Sequence, residues 1–280
     1  RADAFVAAIE ERAWDWDRYI RAFYDDGTPL GARGQPECEI DVIAQAWSVL
    51  SGAADPARAR LSMATAEEHL VDDEHGIVKL FTPPFTGRGA DPGYIRAYPQ
   101  GIRENGGQYT HGAVWAAWAF AELGDAERAH RLFRYLAPMR HAQTREACRV
   151  YRVEPYVVAA DVGGHPPHVG RGGWSWYTGS AAWLYRFAVE GLLGIRRRGA
   201  ALAIAPLLPP SWPGFTLRYR YGSSRYDVEV IATADAERVR VEVDGREVEG
   251  GEVPLVDDGR VHRVRVTLAR APRRAASAAT

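Results

Sequence analysis

A group of polar side chains directly precedes an apolar run in the segment 103–118. Within nine residues it contains four side chains able to exchange hydrogen bonds with a ligand: Arg103, Glu104, Gln108 and His111. Gly106 and Gly107 allow backbone conformations and close approaches that other residues hinder. Polar groups at the mouth of a buried helix are typical of a small-molecule site. The alternative, an ordinary helix start in which a core histidine is hydrogen-bonded within the protein and no ligand binds, fits this segment equally well.

A second candidate site lies where the long insert 138–176 ends and another apolar helical pattern begins. Thr178 occupies the expected N-cap position of that helix, and Gly179 follows it. Free backbone N–H groups and a partial positive charge at a helix start, next to a hydroxyl, can bind an anion. Plain capping by Thr178 explains the same pattern.

Near the N-terminus the sequence places four carboxylates close together: Asp15, Asp17, Asp25 and Asp26. Such a group could supply a pair of catalytic acids. However, Asp-Asp-Gly followed by Thr-Pro at 25–29 is typical of a turn. We therefore predict a turn here.

The elements that would position these residues are mainly helical up to about residue 200. Apolar residues recur at helical spacing in 2–13, 40–50 and 112–123. Asp55 and Asp125 stand at the expected starts of partner helices, which predicts two helical hairpins. A tetratricopeptide-type solenoid is the alternative.

Two long inserts argue against such a compact repeat. They span 72–110 and 138–176 and are rich in glycine and proline. Long ordered loops of this kind are where functional sites are often built.

The sequence period changes from helical to strand-like after about residue 200. Apolar and polar residues alternate in five segments: 201–204, 215–221, 226–231, 239–243 and 261–268. This pattern predicts an antiparallel β domain whose Arg- and Glu-rich faces are solvated. The Ala- and Arg-rich tail is predicted to be disordered.

Composition bounds the class of protein. The 280 residues allow two domains, and 35 basic against 36 acidic residues give a net charge of -1, which disfavours a nucleic-acid partner. Nine Trp and thirteen Tyr suit sugar stacking or an aromatic core.

The cysteines and the N-terminus indicate the cellular compartment and whether the chain is part of a larger protein. Only two Cys, far apart, indicate neither a disulfide framework nor a zinc site, so a reducing compartment fits. No signal peptide is recognisable, and the most apolar run, 113–121, is too short to span a bilayer. A start without Met, already in helical periodicity, predicts that the front of a larger protein is missing.

Three segments, taken together, closely resemble glycoside hydrolase family 94. They are 103–111 (Arg-Glu-Asn-Gly-Gly-Gln-Tyr-Thr-His), 153–161 and 170–179. That family holds the cellobiose and chitobiose phosphorylases and the C-terminal phosphorylase domain of cyclic β-1,2-glucan synthases. The likeness is strongest to the synthase domain, includes 23–31, 81–85 and 91–94, and extends over about residues 14–268.

The resemblance implies a fold and an activity. Residues 1–199 would be the C-terminal portion of an (α/α)₆ barrel, 200–268 a jelly-roll-like antiparallel β-sandwich, and 269–280 a disordered tail. The implied reaction is inverting phosphorolysis of β-glucosides, β-1,2-glucan above all, to glucose 1-phosphate. Inorganic phosphate would be the co-substrate, with no cofactor and no metal.

The resemblance also implies roles for particular residues. His111, Thr178 and Gly179 match phosphate ligands, Arg103 and Glu104 match donor-sugar positions, and Tyr98 is a candidate on the acceptor side. The family's general acid is an Asp in a Gly-Asp-Trp-Asn-Asp-type motif that this chain lacks. We expect that acid upstream, so the chain by itself should be inactive or nearly so.

Two other functions remain open: an inverting glycoside hydrolase that uses water, and a non-catalytic glucan-binding segment. The expected partners are a β-glucan or β-glucoside, phosphate, the missing N-terminal part of the same protein, and a second copy in a homodimer. The expected location is the cytoplasm, with a parent protein at the inner membrane through upstream segments as the alternative.

Overall fold

A computed structural model of the chain describes residues 1–176, 178–234, 236 and 239–269. The chain forms two compact units, of which the first is Arg1–Phe187 and the second begins at Ala188. The predicted boundary between residues 199 and 200 stays a prediction. The predicted disordered tail, 269–280, is wrong at its first residue, because Ala269 pairs with Thr233 at the end of a strand; residues 270–280 lie outside the described residues.

Seven α-helices occur in the described part of the chain. They are α1 Ala2–Arg12, α2 Val42–Leu50, α3 Pro56–Leu70, α4 Thr110–Glu122, α5 Ala126–Leu136, α6 Arg145–Tyr151 and α7 Ser180–Arg186. Short 3₁₀ helices span Gly93–Ala97, Pro138–Ala142 and Glu249–Gly251, and a π-helix spans Phe187–Leu192. No α-helix among the described residues combines the length and the apolar character that crossing a bilayer requires.

The two predicted helical hairpins, α2–α3 and α4–α5, are confirmed. Gly52 and Gly124 end the first helix of each pair in a left-handed conformation, with φ of 69° and 78°. Asp55 then accepts hydrogen bonds from the N–H groups of Ala57 and Arg58, and Asp125 caps α5 in the same way.

Helix α4 is buried over most of its length and packs against α2 and α5. Its small residues permit close contacts: a Cβ on Gly112 would lie 3.1 Å from Val42 Cγ1 and 3.2 Å from Leu80 Cδ1. A helix held by neighbours on several sides gives its first turn a fixed position. His111 is the second residue of that turn.

Eleven short strands lie in the described part of the first unit. They are β1 Trp14–Asp15, β2 Arg18–Tyr19, β3 Ala22–Phe23, β4 Pro29–Leu30, β5 Ile40–Asp41, β6 Val71–Asp72, β7 Ile77–Val78, β8 Phe81–Thr82, β9 Gln108–Tyr109, β10 Asp161–Val162 and β11 Gly172–Gly173. Most of them pair in twos, but β9, β10 and β11 form one three-stranded sheet.

This three-stranded sheet brings distant segments together. Its order is β11-β10-β9, and both pairings are antiparallel. Asp161 in the central strand pairs with Tyr109 on one side and with Gly173 on the other. The three segments that carry the family resemblance are therefore neighbours in space.

Eight strands occur among the described residues of the second unit. They are β12 Ile195–Arg198, β13 Ala201–Ile204, β14 Gly214–Tyr221, β15 Ser224–Thr233, β16 Arg240–Val243, β17 Arg246–Glu247, β18 Glu252–Pro254 and β19 Val261–Ala269. One sheet has the order β14-β15-β19-β16-β17 and another β12-β13-β18. Alternate residues of the long strands, such as Val228, Val230, Val264 and Val266, form the core, as the period of two predicts.

The prediction of a purely antiparallel domain is wrong in one pairing. Strands β15 and β19 run parallel over nine residue pairs, from Arg225 opposite Val261 to Thr233 opposite Ala269. Parallel neighbours need a long connection between them. Here β16, β17 and β18 lie in that connection.

Candidate functional site

The segment before α4 is a tightly folded loop. Gly101 N–H donates to the carbonyl of Asn105 at 2.7 Å, and Arg103 has a φ of 50°. A Cβ on Gly107 would lie 2.7 Å from the carbonyl oxygen of Gly101, so glycine is required for this close backbone approach.

Two amide side chains of this loop have structural roles. Asn105 accepts from Phe85 N–H at 2.7 Å and donates to the carbonyls of Phe85 and Tyr98 at 3.1 and 2.8 Å. Gln108 accepts from Val78 N–H at 2.8 Å. The Asn105 amide and the Gln108 side-chain oxygen thus hold neighbouring backbone, so Gln108 has less capacity for a ligand than the sequence suggested.

Other polar atoms of the same region lack partners. Seven buried side-chain N or O atoms in the described part of the chain have no hydrogen-bond partner, and five of them fall between residues 103 and 115: Arg103 Nε, Glu104 Oε2, Thr110 Oγ1, His111 Nδ1 and Trp115 Nε1. Buried polar groups are nearly always hydrogen-bonded. A concentration of exceptions marks a place where a polar ligand can supply the missing partners.

Arg103 links this group to aromatic side chains. Its Nε lies 3.7 Å from Glu104 Oε2, which is an ion pair beyond hydrogen-bonding distance. Its guanidinium carbon lies 5.5 Å from the ring centroid of Tyr98 and 4.8 Å from that of Trp174. The structure therefore brings three predicted substrate residues, Arg103, Glu104 and Tyr98, together.

His111 lies beside the start of α7. A Cβ on Gly179 would be 3.3 Å from His111 Nε2, so the imidazole and the Gly179 backbone are direct neighbours. The ring stacks on Tyr109, with centroids 5.6 Å apart. Burial lowers the pKa of His111, which keeps the ring neutral at pH 7.

Thr178 lies one residue before the cap of α7. The N-cap is Gly179, not Thr178 as predicted. The Thr178 hydroxyl still accepts a hydrogen bond from Ser180 N–H at 3.1 Å and lies 2.6 Å from the Ser180 hydroxyl. The Thr178 hydroxyl thus bonds to the Ser180 N–H group from a turn just ahead of the helix. This explains why the N-cap lies one residue later than predicted.

Asp161 is a candidate that the sequence analysis missed. Burial raises the pKa of its carboxyl, while the positive charge of Arg103 opposes this and the negative charge of Glu104 adds to it. A Cβ on Gly173 would lie 2.9 Å from Asp161 Oδ2, so the carboxylate occupies the space that glycine leaves. The available sequence signals were its position at the end of the segment 153–161, which carries the family resemblance, and the apolar run that precedes it.

Trp115 was missed as well. Its ring centroid lies 5.9 Å from that of His111, one helical turn away on α4, and its Nε1 is one of the unpartnered buried atoms. The spacing of four residues from His111 was the available signal.

The N-terminal carboxylates have structural partners, which confirms the predicted turn. Asp26 accepts from Thr28 N–H at 2.9 Å, Asp15 accepts from Arg33 N–H at 2.7 Å, and Asp17 pairs with Arg18 at 2.7 Å. The Asp26 contact closes the predicted turn, whereas the Asp15 contact joins residues 18 positions apart.

A groove of about 780 Å³ crosses the five-stranded sheet of the second unit. None of the predicted site residues lines it. Its charged side chains pair across strands, as Arg265 and Glu229 do at 3.1 Å. This matches the predicted solvated face.

Comparison with known proteins assigns the chain to a family of carbohydrate-active enzymes. The glycosyl hydrolase 94 superfamily catalytic domain matches residues 1–194, and the C-terminal domain of glycosyl hydrolase family 65 matches residues 195–264. The chain is 53% identical over 228 residues to cyclic beta-(1,2)-glucan synthase NdvB of Rhizobium meliloti, covering 81% of this chain and 8% of the synthase.

Two phosphorylases are also similar. Solabiose phosphorylase of Paenibacillus borealis is 28% identical over 93% of this chain and 34% of its own length. N,N'-diacetylchitobiose phosphorylase of Vibrio proteolyticus is 30% identical over 80% of this chain and 28% of its own. The chain thus spans about a third or less of the relatives it matches. Because the family 94 domain matches well over half of the chain, the predicted resemblance is confirmed, and this protein belongs to the glycosyl hydrolase 94 superfamily.

Proposed function

We propose that this chain is the C-terminal part of an inverting glycoside phosphorylase that acts on β-glucosides, in particular β-1,2-glucan, and releases glucose 1-phosphate. The family match and the similarity to two phosphorylases support the reaction type. The similarity to a cyclic beta-(1,2)-glucan synthase supports the linkage.

One observation carries the proposal: the unpartnered buried polar atoms of Arg103, Glu104 and His111 occur together, and the His111 ring lies against Gly179. A loop with only structural roles would have satisfied these atoms, as it satisfies Asn105 and Gln108.

The proposed chemistry needs no general base in this chain. A phosphate oxygen forms a bond to the anomeric carbon while that carbon's bond to the glycosidic oxygen breaks, and the leaving oxygen takes a proton from the general acid. An inverting hydrolase needs a second carboxylate to activate water. Phosphate is already an anion, so groups that hold and aim it are sufficient.

Three groups would hold the phosphate. The neutral His111 ring offers one N–H, Thr178 offers a hydroxyl, and the backbone of Gly179 offers an N–H at the start of α7. Since these donors are fixed by α4 and α7, they need no rearrangement when the anion binds.

Two charged groups would serve the sugar. Glu104 would accept hydrogen bonds from hydroxyls of the donor glucose, and Arg103 would stabilise the charge that develops between glucose and phosphate. Tyr98, whose ring faces Arg103 at 5.5 Å, would contact the acceptor side.

The general acid in this proposal lies upstream of residue 1. General acid catalysis contributes about 10²- to 10⁴-fold, so this chain alone should release little or no glucose 1-phosphate. The same upstream part would complete an (α/α)₆ barrel with residues 1–199, and 200–268 would form a jelly-roll-like domain. The cytoplasmic location, the homodimer and the lack of a cofactor stay predictions.

The experiment measures glucose 1-phosphate released from β-1,2-linked glucose oligomers and phosphate. It compares this chain with the same chain extended at its N-terminus. We expect activity only in the extended protein. The variant His111→Ala should raise the phosphate KM and lower turnover, whereas the control His75→Ala, at an exposed histidine bonded to Asp72, should change neither.

Two results would contradict the proposal. Release of free glucose without phosphate would indicate a hydrolase. Phosphorolysis that is unchanged in His111→Ala would remove the phosphate-site assignment.

A further inference from the structure

Three aromatic side chains beside the candidate site are largely exposed. Tyr156, Trp174 and Trp176 keep 73%, 54% and 68% of their surface accessible. Tyr156 precedes β10, Trp174 and Trp176 follow β11, and the rings of Tyr156 and Trp176 meet at 6.1 Å between centroids. Large apolar groups clustered on a surface usually mark a binding site. We call these three residues the aromatic surface.

The backbone that carries the two tryptophans is strained. Trp174 and Trp176 have φ of 51° and 69°, values that bulky residues seldom adopt. Such conformations persist when surrounding contacts impose them, and they concentrate at functional sites. Without the strain, these side chains would not project as they do.

Specific contacts impose this conformation. The carbonyl of Trp174 accepts from Ala160 N–H at 3.1 Å, directly beside the β10–β11 pairing. The indole N–H of Trp176 donates to Glu154 at 2.9 Å. The rings are therefore held in position before any ligand arrives, which reduces the entropy lost on binding.

A polar group flanks the aromatic surface. The backbone N–H of Glu154 and the ring N–H of Trp176 lower the pKa of Glu154, so its carboxylate is charged at neutral pH. Aromatic faces next to a hydrogen-bond acceptor suit a sugar chain, whose rings have an apolar face and a rim of hydroxyls.

Trp174 connects the aromatic surface to the donor residues. Its ring lies 4.8 Å from the guanidinium carbon of Arg103, which carries one of the unpartnered buried atoms. A ligand that occupies the Arg103–Glu104 region and extends outward would pass over Trp174.

We propose that Tyr156, Trp174 and Trp176 bind the part of a β-linked glucan chain that lies beyond the bond to be cleaved, on the acceptor side. The inference rests on the proposed function, because release of glucose 1-phosphate removes one terminal glucose and leaves the rest of the glucan on that side. Stacking of glucose rings on the three aromatic side chains would make affinity grow with glucan length.

The test is a binding titration of this chain, without phosphate, against β-1,2-linked glucose oligomers of two to eight units, followed by calorimetry and tryptophan fluorescence. We expect affinity to increase with oligomer length. Trp176→Ala should weaken binding of the longest oligomer roughly tenfold, a typical effect of losing one stacked ring. Trp176→Phe, which keeps a ring, should lose less.

Trp16→Ala is the matched control. Trp16 is 75% exposed and has a φ of 61°, but it lies in the β1–β2 turn, where Arg33 faces its ring at 5.8 Å. Its removal should leave binding unchanged. Thermal unfolding of each variant shows whether the fold is kept, and Tyr156→Ala provides an independent second variant.

Absence of oligomer binding, affinity independent of length, or equal affinity in Trp176→Ala and Trp16→Ala would each overturn the inference. So would self-association of the chain that Trp176→Ala abolishes in place of glucan binding. Failure of the proposed function looks different: glucan binding would still depend on Trp176, while the extended protein would form no glucose 1-phosphate.

Discussion

His262 and His111 each stack on a tyrosine ring, yet their pKa values shift in opposite directions. His262 lies 4.8 Å from Tyr226 between ring centroids, and its two nitrogens are 2.9 and 3.2 Å from carboxylate oxygens of Asp244 and Asp258. Hydrogen bonding to Asp244 is the largest effect, and it raises the pKa of His262.

His111 has the same kind of stacking on Tyr109 but a different polar environment. Its Nδ1 has no hydrogen-bond partner among the described residues, and burial alone lowers its pKa. The contrast shows that His262 completes its interactions within the fold, whereas His111 is left with capacity for a ligand.

The pKa values of two buried carboxylates in the first unit, Glu37 and Asp161, also shift in opposite directions. Burial acts to raise the pKa of Glu37, but hydrogen bonds from Arg88, Thr86 and Gly89 outweigh it and lower this pKa to about 2. Asp161 is equally buried, and its pKa is raised. Glu37 therefore stabilises a loop, while the charge of Asp161 costs stability.

The largest expected effect concerns Asp161. In the extended, active protein we expect Asp161→Asn to lower kcat/KM about a hundredfold, since small displacements of substrate-positioning groups such as Arg103 have effects of this size. Stability should be kept or should rise, because a group whose folded pKa is raised destabilises the fold when ionised.

Two measurements check the prediction for Asp161. The pH profile of the wild type should lose activity as the pH falls through the raised pKa, and Asp161→Asn should lack that limb. Asp73→Asn, at an exposed carboxylate, is the control. Equal losses of activity and of stability in Asp161→Asn would mean a structural role only.

The next effect concerns Glu37. Glu37→Gln should lower the free energy of unfolding by about 2 kcal/mol at pH 7, the scale of hydrogen bonds to a charged acceptor. The pKa of Glu37 is depressed from 4.5 to about 2, so its contribution is present above pH 4.5 and is lost as the pH falls through 2.

Urea unfolding at pH 7 and pH 3 tests the prediction for Glu37. The difference between wild type and Glu37→Gln should shrink at the lower pH. Glu68→Gln, at an exposed position on α3, should show little difference at either pH. A difference that does not depend on pH would contradict the assignment.

A smaller effect is expected at His111. Saturating phosphate should raise the pKa of His111, because a bound anion favours the protonated ring. NMR titration of the imidazole signals measures this shift, and His262 serves as the internal control. An unchanged His111 pKa would break the contrast between the two histidines.

The smallest effect is expected at His262. Its pKa is raised, so its stabilising contribution is complete below about pH 6.5 and is lost as the pH rises through the folded value. With solvent screening we expect His262→Asn to cost about 0.5 kcal/mol at pH 5.5 and less at pH 8.5. Thermal unfolding at both pH values measures it, and a larger cost at pH 8.5 would reverse the assignment.

Local signals predicted much of the fold. Gly52 and Gly124 marked helix ends, Asp55 and Asp125 marked helix starts, and the period of two marked the long strands. These features depend on near neighbours in sequence, which is why they can be read directly.

Long-range pairing was not predictable in the same way. Nothing in the residues of β15 and β19 distinguishes a parallel from an antiparallel neighbour, and the short helix α6 lay hidden within an insert. The roles of Asn105 and Asp161 depend on residues 20 or more positions away, or on strands from other segments. Such roles emerge only when the chain is folded.

The position of β19 has a consequence for synthesis of the protein. This last strand lies between β15 and β16 and hydrogen-bonds to both. While residues 261–269 are still inside the ribosome, β15 and β16 each expose an unpaired edge. The second unit can therefore complete its five-stranded sheet only after residues 261–269 have been synthesised, and a premature stop near residue 260 would leave two open edges for aggregation.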